Sequence, residues 1–136
     1  MSVEIIIAKT FVPEFKRLRK KYRSLETDVK HLVADLRTKP LQGTDLGHHM
    51  RKIRLPISSK GRGKSGGGRV ITHTVIVAQT DASVTLLAIY DKSERETVTD
   101  AELRELLKKN GLLWPAKVVR DVGDYGKDRY WSLVRH

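Results

Sequence analysis

The chain has no cysteine, which excludes a disulfide framework and a thiolate metal site and fits a reducing compartment. Long hydrophobic runs are also missing. The N-terminal apolar stretch is only Ile5 to Ala8, far short of the about 20 residues of a membrane span or of a signal-peptide core. Aromatic residues make up 6% of the sequence, and the 16 acidic residues are outnumbered by 27 lysines and arginines. These shortages predict a soluble, cytoplasmic protein whose 136 residues build one core. A net charge of +11 and a pI near 10.1 then call for a polyanionic partner: nucleic acid, an anionic surface or an acidic protein.

Hydrophobic spacing divides the chain into recognisable elements. Glu4 to Thr10 is β-branched and apolar, and opens the domain as a strand. From Pro13 to Tyr22 the positions of Phe15, Leu18 and Tyr22 define one stripe of a basic amphipathic helix. Ser24 can cap a second helix carrying Val29, Leu32, Val33 and Leu36, which Pro40 and Gly43 end. Three strands are predicted at Met50–Ile57, Arg69–Ala78 and Ser83–Asp91, forming an antiparallel meander. Thr99, with Glu102 three residues on, forms a capping box for a last helix that Gly111 stops. The order β-α-α-β-β-β-α describes a two-layer α+β domain over residues 1–113, with residues 114–136 an extension of unknown role.

The densest charge lies between Arg51 and Arg69, where Arg51, Lys52, Arg54, Lys60, Arg62, Lys64 and Arg69 occur without an acidic residue. Alternate strand residues share a face, so Lys52 and Arg54 project together, and Arg69 enters the neighbouring strand beside them. A solvent-facing cation cluster of this kind suits a phosphodiester and its more highly charged transition state. The glycine-rich loop Gly61 to Gly66 imitates G-x-G-x-x-G, but a strand follows it instead of a helix, so a nucleotide cofactor is not expected. Tyr90, at the end of the third meander strand, fits two readings from its position, a ring that stacks on an exposed base or one half-buried at the strand end, and Lys92 adjoins it. His73 lies roughly 13 Å along the strand from Arg69, which argues for a structural role. His48, His49 and His136 have no metal-ligand spacing, and no metal is expected.

Three segments, Lys52-Ile53-Arg54-Leu55, Gly66-Gly67-Gly68-Arg69-Val70-Ile71 and Leu87-Ala88-Ile89-Tyr90-Asp91-Lys92-Ser93-Glu94, together resemble the RelE/ParE toxin superfamily, in particular its HigB-like branch. The resemblance covers roughly Glu4 to Leu113 and implies a type II toxin that cleaves mRNA on the ribosome without metal or cofactor. It implies that Lys52, Arg54, Arg69, Tyr90 and Lys92 are catalytic, with Lys52 the first candidate for base. Arg51, Lys60, Arg62 and Lys64 would bind RNA around them. Ser93 stands where RelE-type toxins carry an arginine that stabilises the leaving group, and Val98 where they carry a tyrosine. Lys92 or Lys64 would have to act instead.

The implied partners are ribosome-held mRNA and an acidic antitoxin, with no membrane. Two other readings share the fold: a ParE-like gyrase inhibitor that does no RNA chemistry, and an RNA-binding module that has lost catalysis. The basic set beside Tyr90 favours the nuclease, because binding gyrase does not need it.

Overall fold

The long strands at 68–78 and 81–91 bury consecutive residues instead of alternate ones, because helices cover parts of both faces of their sheet. The computed structural model describes residues 2–60 and 66–112. Within them run β1 (Ser2–Ile7), α1 (Val12–Lys21), α2 (Leu25–Thr38), β2 (Thr44–Gly47), β3 (Met50–Leu55), a 3-10 turn at Ser58–Lys60, β4 (Gly68–Ala78), β5 (Asp81–Asp91) and α3 (Asp100–Lys109). The sheet order is β1-β5-β4-β3-β2, antiparallel except where β1 runs parallel to β5. Among the described residues no helix is long and apolar enough to cross a membrane.

The predicted α+β order is present with one strand more. That strand, β2, has only four residues, Thr44-Asp45-Leu46-Gly47, too polar and short to register as a strand by pattern. It exists because a two-residue turn at His48-His49 folds it back on β3, pairing Gly47 with Met50.

Each sheet face has its own apolar cluster. On one, α1 and α2 place Phe15, Leu18, Leu32 and Leu36 over Ile5, Val84, Leu86 and Val70. On the other, Leu103 and Leu107 of α3 pack on Met50, Ile71 and Leu87. Cross-strand register decides which residues join which cluster: Val70 and Ile89 face α1 and α2, whereas Ile71 and Tyr90 face the α3 side. Thr99 completes the expected capping box with Glu102. Ser24 occupies the N-cap position of α2, but its hydroxyl instead donates to Asp28 (2.7 Å) and accepts from the Ser59 amide (2.8 Å).

The end of β5 is tied down by Asp91, whose side chain is wholly buried. Its carboxylate accepts from Lys60 Nζ at 2.6 Å, Tyr22 Oη at 2.5 Å, and the Ser93 amide and hydroxyl at 2.9 and 2.7 Å. Burial alone pushes such a carboxyl up, but the hydrogen bonds from Lys60, Tyr22 and Ser93 together hold it well below the usual range. Replacing Asp91 with alanine strands the Lys60 ammonium, whose side chain is 10% exposed, and should cost about 3–5 kcal/mol. Urea unfolding of Asp91→Ala reads this directly, and an unchanged midpoint would show that the carboxylate does not hold the fold.

Candidate functional site

The site is assembled by register. Arg54 on β3 is the direct partner of Arg69 on β4, which is in turn the direct partner of Tyr90 on β5, so one row crosses three strands. Lys52 lies on the same face of β3, opposite Ile71, and Lys92 follows Tyr90 beyond the strand end. The predicted set Lys52, Arg54, Arg69, Tyr90 and Lys92 therefore does converge on one end of the α3 face. Gly67 sets up the row, because any Cβ there would collide with the Leu55 carbonyl, so only glycine lets β4 start this close to β3.

Arg69 differs from the expected solvent-facing cation, being 6% exposed. It sits on an inner strand, and its Nη1 donates to the Gly68 carbonyl at 3.0 Å. Arg54 is exposed and Lys52 half-buried, and neither has an ion-pair partner among the described residues. Lys92 donates to the Glu96 carboxylate at 2.9 Å and to its carbonyl at 3.3 Å. The Lys92 hydrogen bond and charge, with the charge of Arg69 behind them, keep the Glu96 carboxyl below its ordinary value.

Tyr90 is 4% exposed and so does not present the open stacking face that the sequence suggested. It packs in the apolar cluster of the α3 face, and the Arg95 guanidinium lies 5.6 Å from its ring centroid while bonding Glu102 at 2.6 and 2.7 Å. These bonds fold the segment after β5 back onto α3. The Tyr90 hydroxyl is buried without a hydrogen-bond partner among the described residues, and burial raises its pKa despite the opposing charges of Arg69 and Arg95. Arg95 was not foreseen in the sequence, where it is one cation among several in a charged segment. Its position only two residues past Ser93 was the available signal. Ser93 is occupied in supporting Asp91 and Lys60, and Val98 packs against the α3 cluster.

The remaining predicted cations do not join the row. Arg51 alternates to the other side of β3 and reaches Asp45 at 3.9 Å. Lys60 is consumed by Asp91, on the α1 side of the sheet, because a buried carboxylate needs a counter-charge. Arg62 and Lys64 lie outside the described residues, as does the 114–136 extension.

At the opposite end of the same face, a groove of about 550 Å³ opens between the β2–β3 turn and α3. Its wall includes His73, 4% exposed, whose ring meets that of His49 edge-on with centroids 5.8 Å apart. Burial, with a smaller contribution from His49, pushes the His73 pKa down to about 4. Because the unfolded imidazole titrates near 6.5, the unfolded chain takes up a proton that the native protein refuses. Stability present above about pH 6.5 is thus lost as the pH falls toward 4, by up to about 3 kcal/mol. Urea midpoints at pH 7 and 4.5 should converge in His73→Phe relative to wild type; equal acid losses in both proteins would remove His73 as the cause.

No individually curated protein matches the chain closely enough to count as a relative. Residues 8–117 match the family model for the RelE toxin of the RelE/RelB toxin–antitoxin system. The matched span holds the complete Arg54–Arg69–Tyr90 row and covers most of the 136 residues. By that extent of match, the chain belongs to the RelE toxin family.

Proposed function

We propose that this toxin is a ribosome-dependent endoribonuclease that cleaves mRNA at the face formed by Lys52, Arg54, Arg69, Tyr90 and Lys92. The observation that carries this reading is the direct register of Arg54, Arg69 and Tyr90, which lines up two guanidinium-bearing positions and a buried phenol. Arg54 and Arg69 bind the scissile phosphate and stabilise the charge it gains in the transition state. Lys52 is the group placed to take the proton of the 2′-hydroxyl as that oxygen attacks phosphorus. The bond to the 5′-oxygen breaks, leaving a 2′,3′-cyclic phosphate, and Tyr90 donates its proton to the departing oxygen. The phenol is protonated at physiological pH and so has a proton to give, although burial, by raising its pKa, makes it a weaker acid than an exposed tyrosine. Arg95, not Ser93, is the arginine beside it.

The chemistry requires a splayed, single-stranded codon, and the ribosome supplies one; cleavage of naked RNA is slow in comparison. RelE/RelB membership carries an antitoxin partner with it. A net charge of +11 makes an acidic antitoxin the fitting one, covering Arg54 and Arg69 in the cytoplasm.

Tyr90→Phe separates catalysis from packing, because it deletes a hydroxyl with no partner among the described residues and keeps the ring. Stability should stay level or rise by about 1 kcal/mol, while cleavage falls by roughly 10²–10⁴-fold. Mapping 5′ ends of cellular mRNA after induction should show cuts within translated codons that fade in the variant. Growth arrest with intact mRNA would instead indicate a gyrase poison, and undiminished cutting by Tyr90→Phe would exclude the tyrosine as proton donor.

A further inference from the structure

The outer strands of the sheet are blunted against pairing with another chain. β1 carries Glu4, and Arg37 of α2 donates to its Val3 carbonyl at 3.2 Å. β2 is four residues long and carries Asp45. Charge, cover and brevity are the usual means by which an edge avoids a stray partner. The far end of β4 has none of them. Pairing of β3 with β4 ends at Met50 and His73, and the last bond across it runs from the Thr74 amide to the His49 carbonyl at 2.9 Å. Beyond that bond β4 continues to Ala78, and among the described residues it pairs only with β5, whose far side β1 covers as far as Asp81. Strand alternation aims the Ile76 amide and carbonyl to the same open side as those of Thr74.

This overhang is also apolar. Ile76 is 47% and Val77 68% exposed, and Val77 is the extra residue of a pairing irregularity between Ile76 and Ala78. Leu41, the other exposed large hydrophobic residue among those described, lies at the same end of the sheet, next to the Pro40 carbonyl that accepts from the Thr74 hydroxyl at 3.2 Å. The charge pattern selects the occupant. Val70 to Thr80 is the longest run of the sequence without Lys, Arg, Asp or Glu, in a chain whose net charge is +11. RNA or an acidic protein finds no cation on this run to engage. A second copy of the chain, equally basic, meets its least repulsion there.

We infer that the β4 overhang is the surface through which two copies of this chain associate, β4 pairing antiparallel with β4 about a two-fold axis. Each copy offers its Ile76 amide and carbonyl to the other, so one segment is its own complement. Ile76, Val77 and Leu41 leave water at the seam. The paired segment is short, so the dimer is weak and forms at high protein concentration. Arg69 lies roughly 23 Å from Ile76 by strand rise, so dimerisation leaves both Arg54–Arg69–Tyr90 rows open, and the inference does not rest on the nuclease reading.

Sedimentation velocity of the full-length protein over rising concentration, at low and high salt, tests this. The wild type should pass from monomer to dimer, with more dimer at high salt, because salt screens the repulsion between two +11 molecules. Ile76→Lys should hold the protein monomeric with a urea midpoint near that of wild type, whereas Thr27→Lys, the same added charge on an exposed position of α2, should leave the dimer in place. Amide hydrogen exchange at Ile76 in the wild type should slow as concentration rises, a reading that needs no variant. A monomer at every concentration overturns the inference, as does a dimer that survives Ile76→Lys. Association that fades with salt or with ribonuclease treatment is two copies bridged by RNA and also overturns it. Protection of the Ile76 amide that is independent of dilution shows an edge covered within one chain, with the same result.

Discussion

A single buried carboxylate, Asp91, holds together the part of the molecule on which the Arg54–Arg69–Tyr90 row depends. Asp91 draws Lys60 from the turn after β3, Tyr22 from the end of α1 and Ser93 from the segment after β5 to one point. Strand geometry transmits this to the other side of the sheet. Because successive side chains of β5 point opposite ways, fixing Asp91 toward α1 fixes Tyr90 toward α3. Asp91 is also the register partner of Gly68, next to Arg69, so the same anchor locates both ends of the Arg69–Tyr90 pair. The sequence motif Tyr90-Asp91 thus joins a chemical position to its structural support in adjacent residues.

The face served by that anchor departs from what stability alone would select. Arginines directly opposite each other on neighbouring strands repel, yet Arg54 and Arg69 are register partners. The Tyr90 hydroxyl, buried without a partner among the described residues, lies on this face, while Thr72 Oγ1, also without one, lies on the other, opposite Leu86. Two consecutive non-glycine residues in left-handed conformation add roughly 1–2 kcal/mol each. The α1–α2 face is different: its buried charged groups, Asp28 and Asp91, are both fully engaged. The paired arginines and the left-handed histidine turn, both on the α3 side, are the kind of local conflict that a consistent fold keeps where binding weighs on the sequence.

Much of this was legible beforehand, and the residues show where legibility stops. Hydrophobic period located α1, α2, β3, β4, β5 and α3, and the Thr99–Glu102 spacing announced its capping box, because these are local signals. Strand alternation also placed Arg54 beside Arg69. What failed to register was set by tertiary contact. β2 depends on a turn made by two histidines, a choice that no turn propensity favours. Lys60 reads as one more cation in a basic stretch until Asp91, thirty-one positions away, claims it. Arg69 and Tyr90 look exposed from their neighbours in sequence and are buried: Arg69 lies on an inner strand, and Arg95, held by Glu102, comes to the Tyr90 ring. Ionic partners distant in sequence are invisible to pattern, and most of the corrections at the site trace to them.

The two ends of the α3 face differ in chemical kind, and the difference bears on how such a protein would engage RNA. On the proposed function, the guanidinium and ammonium groups at the Arg54–Arg69 end bind phosphate, which every nucleotide carries, and so would set position and salt dependence without discriminating sequence. The groove at the other end is lined by apolar and polar side chains together, among them Met50, Leu103, His73, Asp100 and Arg104. The helix that separates these ends is the same α3 whose first turn holds Arg95 through Glu102 and whose middle carries Arg104. Any partner that moved α3 would therefore disturb the Tyr90 cover and the groove wall together, because Glu102 and Arg104 belong to one rigid helical turn.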